Sequence, residues 1–236
     1  LGISQPSVSN WQRVPAERVL AVEEATGIGR SILRPDLYSA DSKPVVEVDE
    51  IDVARAQEYA LLAALLARAP EAEMLGRLAR LRGDASLLGV AHAALGEAAA
   101  ATDVNRAGRE YFDLFVGGGR GDLLPYCSYY LTGFLHERPL ARLRGDLKRL
   151  GIERAKPDCE PEDHAATLCE IMGAITGGKL DLPPGTDREI FEKHLAPWIG
   201  RFFTDLENSS AAFYSRVGAL GRTFVEIEME AFALPQ

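Results

Sequence analysis

The sequence has few cysteines and no long apolar run, and each shortage excludes a class of protein. Its three cysteines show no CxxC spacing, so they indicate neither a disulfide framework nor a zinc site. No segment is apolar over the length of a membrane span. The first residues also lack the basic and apolar regions of a signal peptide. We therefore expect a protein of the reducing cytoplasm that is not in a membrane.

Positive charge is also scarce. The 236 residues include 26 Lys and Arg against 35 Asp and Glu, which gives a formal net charge of −9. A protein with this negative net charge does not attract nucleic acid nonspecifically. Residues 1–44 contain equal numbers of basic and acidic side chains, so the acidic excess lies downstream. An acidic surface attracts basic partners, and a basic peptide is one such partner.

Sequence patterns of catalysis are missing. Residues 117–122 are rich in glycine but lack the Gly-Lys-Ser/Thr ending of a phosphate-binding loop. The four histidines are scattered, with no HExxH spacing for a metal, and Ser128 lacks the GxSxG elbow. We expect no enzyme, no cofactor and no metal, although the residues do not exclude weak nucleotide binding.

The pattern that is abundant is helical. Strand-like alternation is confined to 45–48, and 177–186 is too rich in Gly and Pro for a helix. We therefore predict an all-α protein with a boundary near Pro44, dividing a partial N-terminal unit (1–43) from a single large helical bundle (48–236). Apolar spacing and capping residues predict helices from Asp49 or Asp52 to 69, and over 71–82, 85–101, 103–115, 124–135, 138–150, 161–176, 187–195, 197–207 and 210–231.

The segment 160–172 is the most informative part of the bundle. Pro161 suits the first turn of a helix, where its missing N–H costs nothing. Glu162 and Asp163 then lie at the positive end of the helix dipole. A helix start accounts for these residues but does not require His164.

The order Glu-Pro-x-Asp-His in this segment resembles a signature of the TorD/DmsD/NarJ family of chaperones for molybdenum enzymes. Further segments resemble the family in the same order along the chain, and together they span about residues 50–232. Cys127 stands where the family usually has an acid. These segments are 110–115 before the glycine-rich loop, 124–130, 143–151, and 191–214.

The resemblance implies a cytoplasmic chaperone that binds the twin-arginine signal peptide or N-terminus of an apo molybdopterin oxidoreductase. It also implies that the chaperone assists cofactor insertion before export. Two guanidinium groups followed by an apolar stretch require carboxylates beside an apolar groove. The carboxylates would come from Glu160, Asp163 and Glu162, while His164 would bind the peptide backbone. The candidate peptide-binding residues are Glu160, Pro161, Asp163, His164, Leu114, Phe115, Tyr126 and Tyr130.

A structural interpretation of the same residues stays open. The acids are then helix-start charges, His164 is a structural hydrogen-bonding residue, and the apolar candidates belong to the core. If Asp163 and His164 do bind the peptide, replacing both with alanine weakens binding severalfold.

The first residues form a second pattern, with a turn at Gly2, a helix cap at Ser4 and apolar positions at Ile3, Val8 and Trp11. Residues 1–38 resemble the Cro-like, YdaS-type helix-turn-helix family. The two upstream helices that such a unit needs would precede Leu1, so we expect an incomplete unit that binds DNA only when those helices are present. The alternative function is a transcriptional regulator with a TorD-like sensor, and a homodimer is also left open. The candidate DNA-contacting residues are Gln5, Ser7, Asn10 and Gln12.

Overall fold

The computed structural model describes residues 14–37, 49–118, 121–153 and 160–234. The chain divides into two compact units, Leu1–Glu47 and Val48–Gln236. The strand-like stretch 45–48 lies outside the described residues, and so do the candidate DNA-contacting residues Gln5, Ser7, Asn10 and Gln12.

The described part of the N-terminal unit is helical. A 3-10 turn at Ala16–Arg18 leads into α1 (Val19–Thr26), and α2 (Arg30–Leu33) follows. Helix α1 ends at Gly27, whose φ of 70° is in the left-handed region that glycine adopts without strain.

The C-terminal unit is also built of helices, which confirms the predicted all-α class. Helices α6 and α10 continue as π-helical turns over Phe112–Val116 and Phe191–Leu195. Among the described residues, β pairing is limited to an isolated bridge between Tyr126 and His164. The helices are α3 (Glu50–Ala67), α4 (Ala72–Leu78), α5 (Leu87–Ala101), α6 (Val104–Tyr111), α7 (Cys127–Thr132), α8 (Arg138–Arg149), α9 (Ala165–Thr176), α10 (Thr186–Ile190), α11 (Ile199–Glu207) and α12 (Tyr214–Ala233).

Side-chain caps set several of the helix starts. Asp49 accepts from the amide of Ile51 at the start of α3, and Ser86 accepts from Gly89 at the start of α5. Asp103 accepts from two amides at the start of α6. Each of these oxygens satisfies amides that have no partner within the helix, which is why the chain enters the helix at these points.

Helix α12 packs against α3, α5, α6 and α11. Its approach to α11 is close at Gly218, where a Cβ atom would lie 2.3 Å from the backbone nitrogen of Glu207. The carboxylate of Glu110 accepts from the amides of Phe213 (2.9 Å) and Tyr214 (3.1 Å), so the end of α6 caps α12. In the described part of the chain, no helix is long and apolar enough to cross a membrane.

A buried ion cluster joins α3 to α12. The guanidinium of Arg55 binds both carboxylate oxygens of Glu228, at 2.7 and 2.9 Å. It also binds Asp52 (2.7 Å) and Asp187 (3.0 Å), while the hydroxyl of Tyr59 donates to Glu228 at 2.8 Å. Burial disfavours the charge on Arg55, but the hydrogen bonds to these carboxylates outweigh burial and raise its pKa. The cluster therefore fixes the position of α3, which forms one side of the candidate site.

Candidate functional site

The segment 160–164 forms a turn before α9, and the helix begins later than predicted. The prediction had Pro161, Glu162 and Asp163 in the first helical turn, whereas α9 starts at Ala165. His164 is the N-cap: its Nδ1 accepts from the amide of Ala166 at 3.1 Å. The expectation that a cap does not require His164 was therefore wrong, because the imidazole nitrogen does what a Ser or Asp oxygen usually does.

Asp163 is buried, with 1% of its surface exposed. One carboxylate oxygen accepts from both the amide (2.9 Å) and the hydroxyl (2.6 Å) of Ser128. The backbone carbonyl of Asp163 accepts from the amide of Cys127 at 2.9 Å, and the backbone carbonyl of Pro125 accepts from the amide of Ala165 at 2.8 Å. These bonds join segment 125–128 to the start of α9. The structure therefore gives Asp163 a positioning role, since its carboxylate has no surface open to an arginine.

Glu162 is also engaged within the protein. Its carboxylate binds the guanidinium of Arg144 on α8 at 2.9 Å and 2.8 Å, and the residue is buried. The pair connects α8 to the turn before α9. Glu162 is therefore positioned as part of the scaffold, and the exposed carboxylate of the segment is that of Glu160.

Glu160, Tyr126 and His164 are brought together, as the sequence suggested. The hydroxyl of Tyr126 donates to Glu160 at 2.7 Å, and its ring meets the imidazole of His164 edge-on at 5.0 Å. Burial, together with the bond to Glu160, raises the pKa of Tyr126. The tyrosine therefore stays a hydrogen-bond donor and orients the carboxylate of Glu160.

Glu160 and His164 line a groove of about 660 Å³ between α3 and α9. Its floor is made of small side chains, and its polar residues include Glu160, His164, Glu170 and Lys179. The two helices approach closely because Gly173 has no side chain: a Cβ there would lie 3.3 Å from the carbonyl oxygen of Ala56. The groove is lined by Ala60, Ala63, Ala64, Ala67, Glu160, His164, Ala166, Thr167, Glu170, Gly173, Ala174 and Lys179.

The remaining apolar candidates do not line this groove. Leu114 is buried in the core, and Phe115 packs edge-on against Tyr111 and Tyr214. Tyr130 donates to Asp205 at 2.9 Å and lines a separate cavity of about 460 Å³. Leu114 and Phe115 are therefore part of the core, as the structural interpretation of the sequence proposed.

The sequence interpretation missed the alanine face of α3. Its four groove residues recur at helical spacing in the run from Ala60 to Ala67, so they share one side of the helix. This helix face made only of methyl groups was the sequence feature that could have indicated the groove. Glu170 and Lys179 were missed as well, because nothing in a single sequence pairs them with α3.

His164 is expected to make stability depend on pH. Burial lowers its pKa to about 4 from a usual 6.5, although Glu160 and Asp163 oppose this. Between these values the unfolded chain binds a proton that the folded chain does not, so the free energy of unfolding falls as pH falls from 6.5 to 4. The largest slope is about 1.4 kcal/mol per pH unit.

Urea unfolding at several pH values, compared between wild type and His164→Ser, measures this contribution. Serine preserves the cap but does not titrate. The difference between the two proteins is the useful quantity, because the bond to Glu58 raises the pKa of His92 and stabilises the fold towards low pH. Equal pH slopes in both proteins would contradict the prediction.

Within the described ranges, no group of three side chains is arranged to hold a metal ion. The fold and the site thus define an all-α protein whose candidate site is a groove between two helices. The sequence pattern of the nitrate reductase delta subunit family matches residues 82–204, which is more than half of the chain. The chain belongs to this family, the TorD/NarJ family, as the sequence resemblance predicted.

Individual relatives are similar to the chain over different lengths. The chaperone protein TorD of Shewanella loihica is 24% identical over 217 residues, which cover 80% of this chain and 98% of the relative. The TorD of Aliivibrio fischeri is 24% identical over 135 residues, covering 52% of this chain and 63% of that protein. These relatives are named as chaperones and not as enzymes, in agreement with the non-catalytic interpretation.

A solved structure and a second family also match. The crystal structure of a protein described as a redox enzyme maturation protein from Archaeoglobus fulgidus is 18% identical, with a TM-score of 0.47 over 73% of this chain and 93% of that one. The pattern of a family described as bacterial toxin YdaS matches residues 1–42. This match confirms the YdaS-type resemblance of the N-terminal segment.

Proposed function

We propose that this chain is a cytoplasmic chaperone that binds the twin-arginine signal peptide or N-terminus of a molybdopterin oxidoreductase. It holds the apo-enzyme while the cofactor is inserted and before export. Membership of the TorD/NarJ family supports the chaperone role. The observation that carries the peptide-binding part is the acid-bearing, alanine-floored groove between α3 and α9.

The groove suits a peptide in both shape and charge. Its volume of about 660 Å³ is within the range of small-ligand sites and holds a few side chains at a time. Exposed carboxylates at Glu160 and Glu170 match guanidinium groups, which carboxylates bind with two parallel hydrogen bonds. The methyl-lined floor accepts the apolar residues that follow the arginine pair. Tyr126 holds the carboxylate of Glu160 in place for this contact.

Removing the two acidic charges of the groove is expected to weaken peptide binding. In Glu160→Gln with Glu170→Gln, the affinity for a synthetic twin-arginine peptide should fall about thirtyfold, because each of the two charge-assisted bonds contributes about 1 kcal/mol at such a surface. Isothermal titration calorimetry measures the affinity. Glu97→Gln is the matched control, since Glu97 is exposed on α5 and does not line the groove. An unchanged affinity in the folded double variant would remove the groove from the proposal.

Transcriptional regulation is the second candidate function, and the match of residues 1–42 to the YdaS family favours it. The candidate DNA-contacting residues Gln5, Ser7, Asn10 and Gln12 lie outside the described part of the chain. A mobility-shift assay on the promoter next to the gene, with a protein extended upstream of Leu1, tests this candidate. A shift would support it, and no shift would count against it.

A further inference from the structure

The hydroxyl of Thr167 is not used by the helix that carries it. Thr167 is the third residue of α9 and lines the groove. A side chain at this position often reaches back to the amide of the N-cap residue, but the amide of His164 donates to the carbonyl of Pro161 at 3.0 Å. The carbonyl four positions before Thr167, that of Asp163, accepts from the amide of Cys127. Both usual partners are thus engaged elsewhere, and among the residues that the structure describes the hydroxyl forms no hydrogen bond.

Other threonines of the helices bond differently, and the contrast makes Thr167 an exception. Each of the others donates its hydroxyl to the carbonyl four positions earlier, at 2.6 to 2.9 Å. Thr167 lies in the first turn, where the residue four positions earlier precedes the helix. Its oxygen is not sealed inside either, because in the described ranges the buried side-chain atoms without a partner are Glu58 Oε1 and Ser209 Oγ. The hydroxyl is therefore open to the groove that Thr167 lines. The back-bonded threonines are Thr26, Thr132, Thr176, Thr204 and Thr223.

The imidazole of His164 supplies a second polar group at the same end of the groove. Its Nδ1 accepts from the amide of Ala166, so the proton of the neutral ring is on Nε2. Burial lowers the pKa of His164 to about 4, which keeps the ring neutral near pH 7. Within the described part of the chain, Nε2 has no hydrogen-bond partner and is not one of the fully buried atoms. An N–H donor and a hydroxyl therefore lie three positions apart on one side of the start of α9.

The small side chains of the floor let the main chain of a ligand approach these two groups. A hydrogen bond requires its donor and acceptor to be about 3 Å apart, so a ligand must lie close to α9 to reach them. Helix α3 presents only methyl groups to the groove, and these do not hold a ligand away. Main-chain amides and carbonyls occur at nearly every residue of a peptide and are strong hydrogen-bonding groups. A hydroxyl can pair with either one, because it both donates and accepts.

We propose that Thr167 binds the main chain of the peptide through its hydroxyl, beside the Nε2–H of His164. This inference rests on the proposed peptide-binding function of the groove and adds Thr167 to its binding residues. The hydroxyl accepts from an N–H or donates to a carbonyl, so its contribution does not depend on the side chains of the ligand. Glu160 and Glu170 select arginine, whereas Thr167 adds affinity for any sequence that lies in the groove.

Isothermal titration calorimetry of the full chain with the synthetic twin-arginine peptide tests the role of the hydroxyl. Thr167→Val removes the hydroxyl but keeps the branched shape, so the affinity should fall about fivefold, as for the loss of one neutral hydrogen bond. Thr167→Ser keeps the hydroxyl and should bind like the wild type. Thr167→Ala also removes it and should show a similar loss, so the result does not depend on how valine packs. Thr204→Val is the matched control, since Thr204 is exposed on α11 and does not line the groove.

Peptides with a single ester in place of one amide test whether the main chain is what Thr167 binds. An ester lacks the N–H donor, and its carbonyl is a weaker acceptor. At the position that meets Thr167, the ester should weaken binding to the wild type about fivefold. The same ester should have little effect on Thr167→Val, because the partner hydroxyl is already gone. Esters at the other positions should act alike on both proteins, as independent changes do.

Three results would contradict the inference. If Thr167→Val binds the twin-arginine peptide as the wild type does, the inference is overturned, and Glu160→Gln with Glu170→Gln decides the groove function separately. If Thr167→Val loses affinity but every ester weakens both proteins equally, the hydroxyl meets a side chain and the inference is also overturned. If the twin-arginine peptide does not bind the wild type, the proposed function and the inference both fail.

Discussion

Replacing Glu228 with alanine should destabilise the C-terminal unit by about 3 to 5 kcal/mol, the usual result of removing one partner from a buried ion pair. Glu228 is 2% exposed and accepts two hydrogen bonds from Arg55 and one from Tyr59. Without the carboxylate, a largely buried guanidinium loses its principal partner and the hydroxyl of Tyr59 loses its acceptor. Since domains are stable by only about 5 to 15 kcal/mol, this is a large part of the total.

Urea and thermal unfolding followed by circular dichroism measure the effect. Glu226→Ala is the matched control on the same helix, because Glu226 forms an exposed pair with Arg222 four positions earlier. Such pairs contribute about 0.3 to 0.5 kcal/mol, so the control should unfold close to the wild type. Equal losses in the two variants would show that the Arg55 cluster does not hold α3 to α12.

Replacing Asp163 with alanine should destabilise the protein by about 2 to 4 kcal/mol and also weaken peptide binding. The change leaves the amide and hydroxyl of Ser128 buried without their acceptor, and each buried group left unsatisfied costs about 1 to 3 kcal/mol. The turn that places Glu160 and His164 at the groove is then no longer joined to segment 125–128. The loss of affinity is thus an indirect consequence of lost positioning.

Asp163→Asn separates the positioning role from a direct charge contact with the peptide. Asparagine keeps an oxygen that can accept from Ser128 but carries no negative charge. If Asp163 acts through position, the Asn variant should recover most of the stability and of the peptide affinity that the Ala variant loses. If the Asn variant is stable but binds as poorly as the Ala variant, the charge itself meets the ligand and the positioning role is wrong. Unfolding curves and calorimetry on the two variants provide both readouts.

The helices were largely predictable because capping and apolar spacing are local properties. Asp49 and Asp103 mark helix starts in the sequence and cap those helices in the structure. The π-helical turns at Phe112–Val116 and Phe191–Leu195 were not foreseen, because their wider winding follows the packing of neighbouring helices and leaves little trace in spacing.

The candidate site was predictable only in part, for a physical reason that His164 and Asp163 illustrate. Their sequence order suggested the first turn of a helix, whose charges would face solvent. In the structure, the hydroxyl of Ser128 donates to the carboxylate of Asp163. This carboxylate is therefore buried inside the protein and does not face solvent. A contact between residues far apart in sequence, such as Ser128 and Asp163, decides which acid is exposed. The sequence alone therefore could not show that Glu160 is exposed and Asp163 is buried. The partnership of α3 with α9 is likewise a tertiary property.

The alanine floor described above has a consequence for how discriminating the protein can be. Methyl groups form no deep side-chain pockets, so a leucine, a phenylalanine or a methionine of a bound peptide covers this floor about equally well. Apolar contact with the floor then raises the affinity for a peptide without distinguishing one apolar side chain from another. Discrimination between peptides depends on the few charged residues at the edges of the groove. If the groove binds a peptide as proposed, it should tolerate apolar sequences that differ from one another and release them readily.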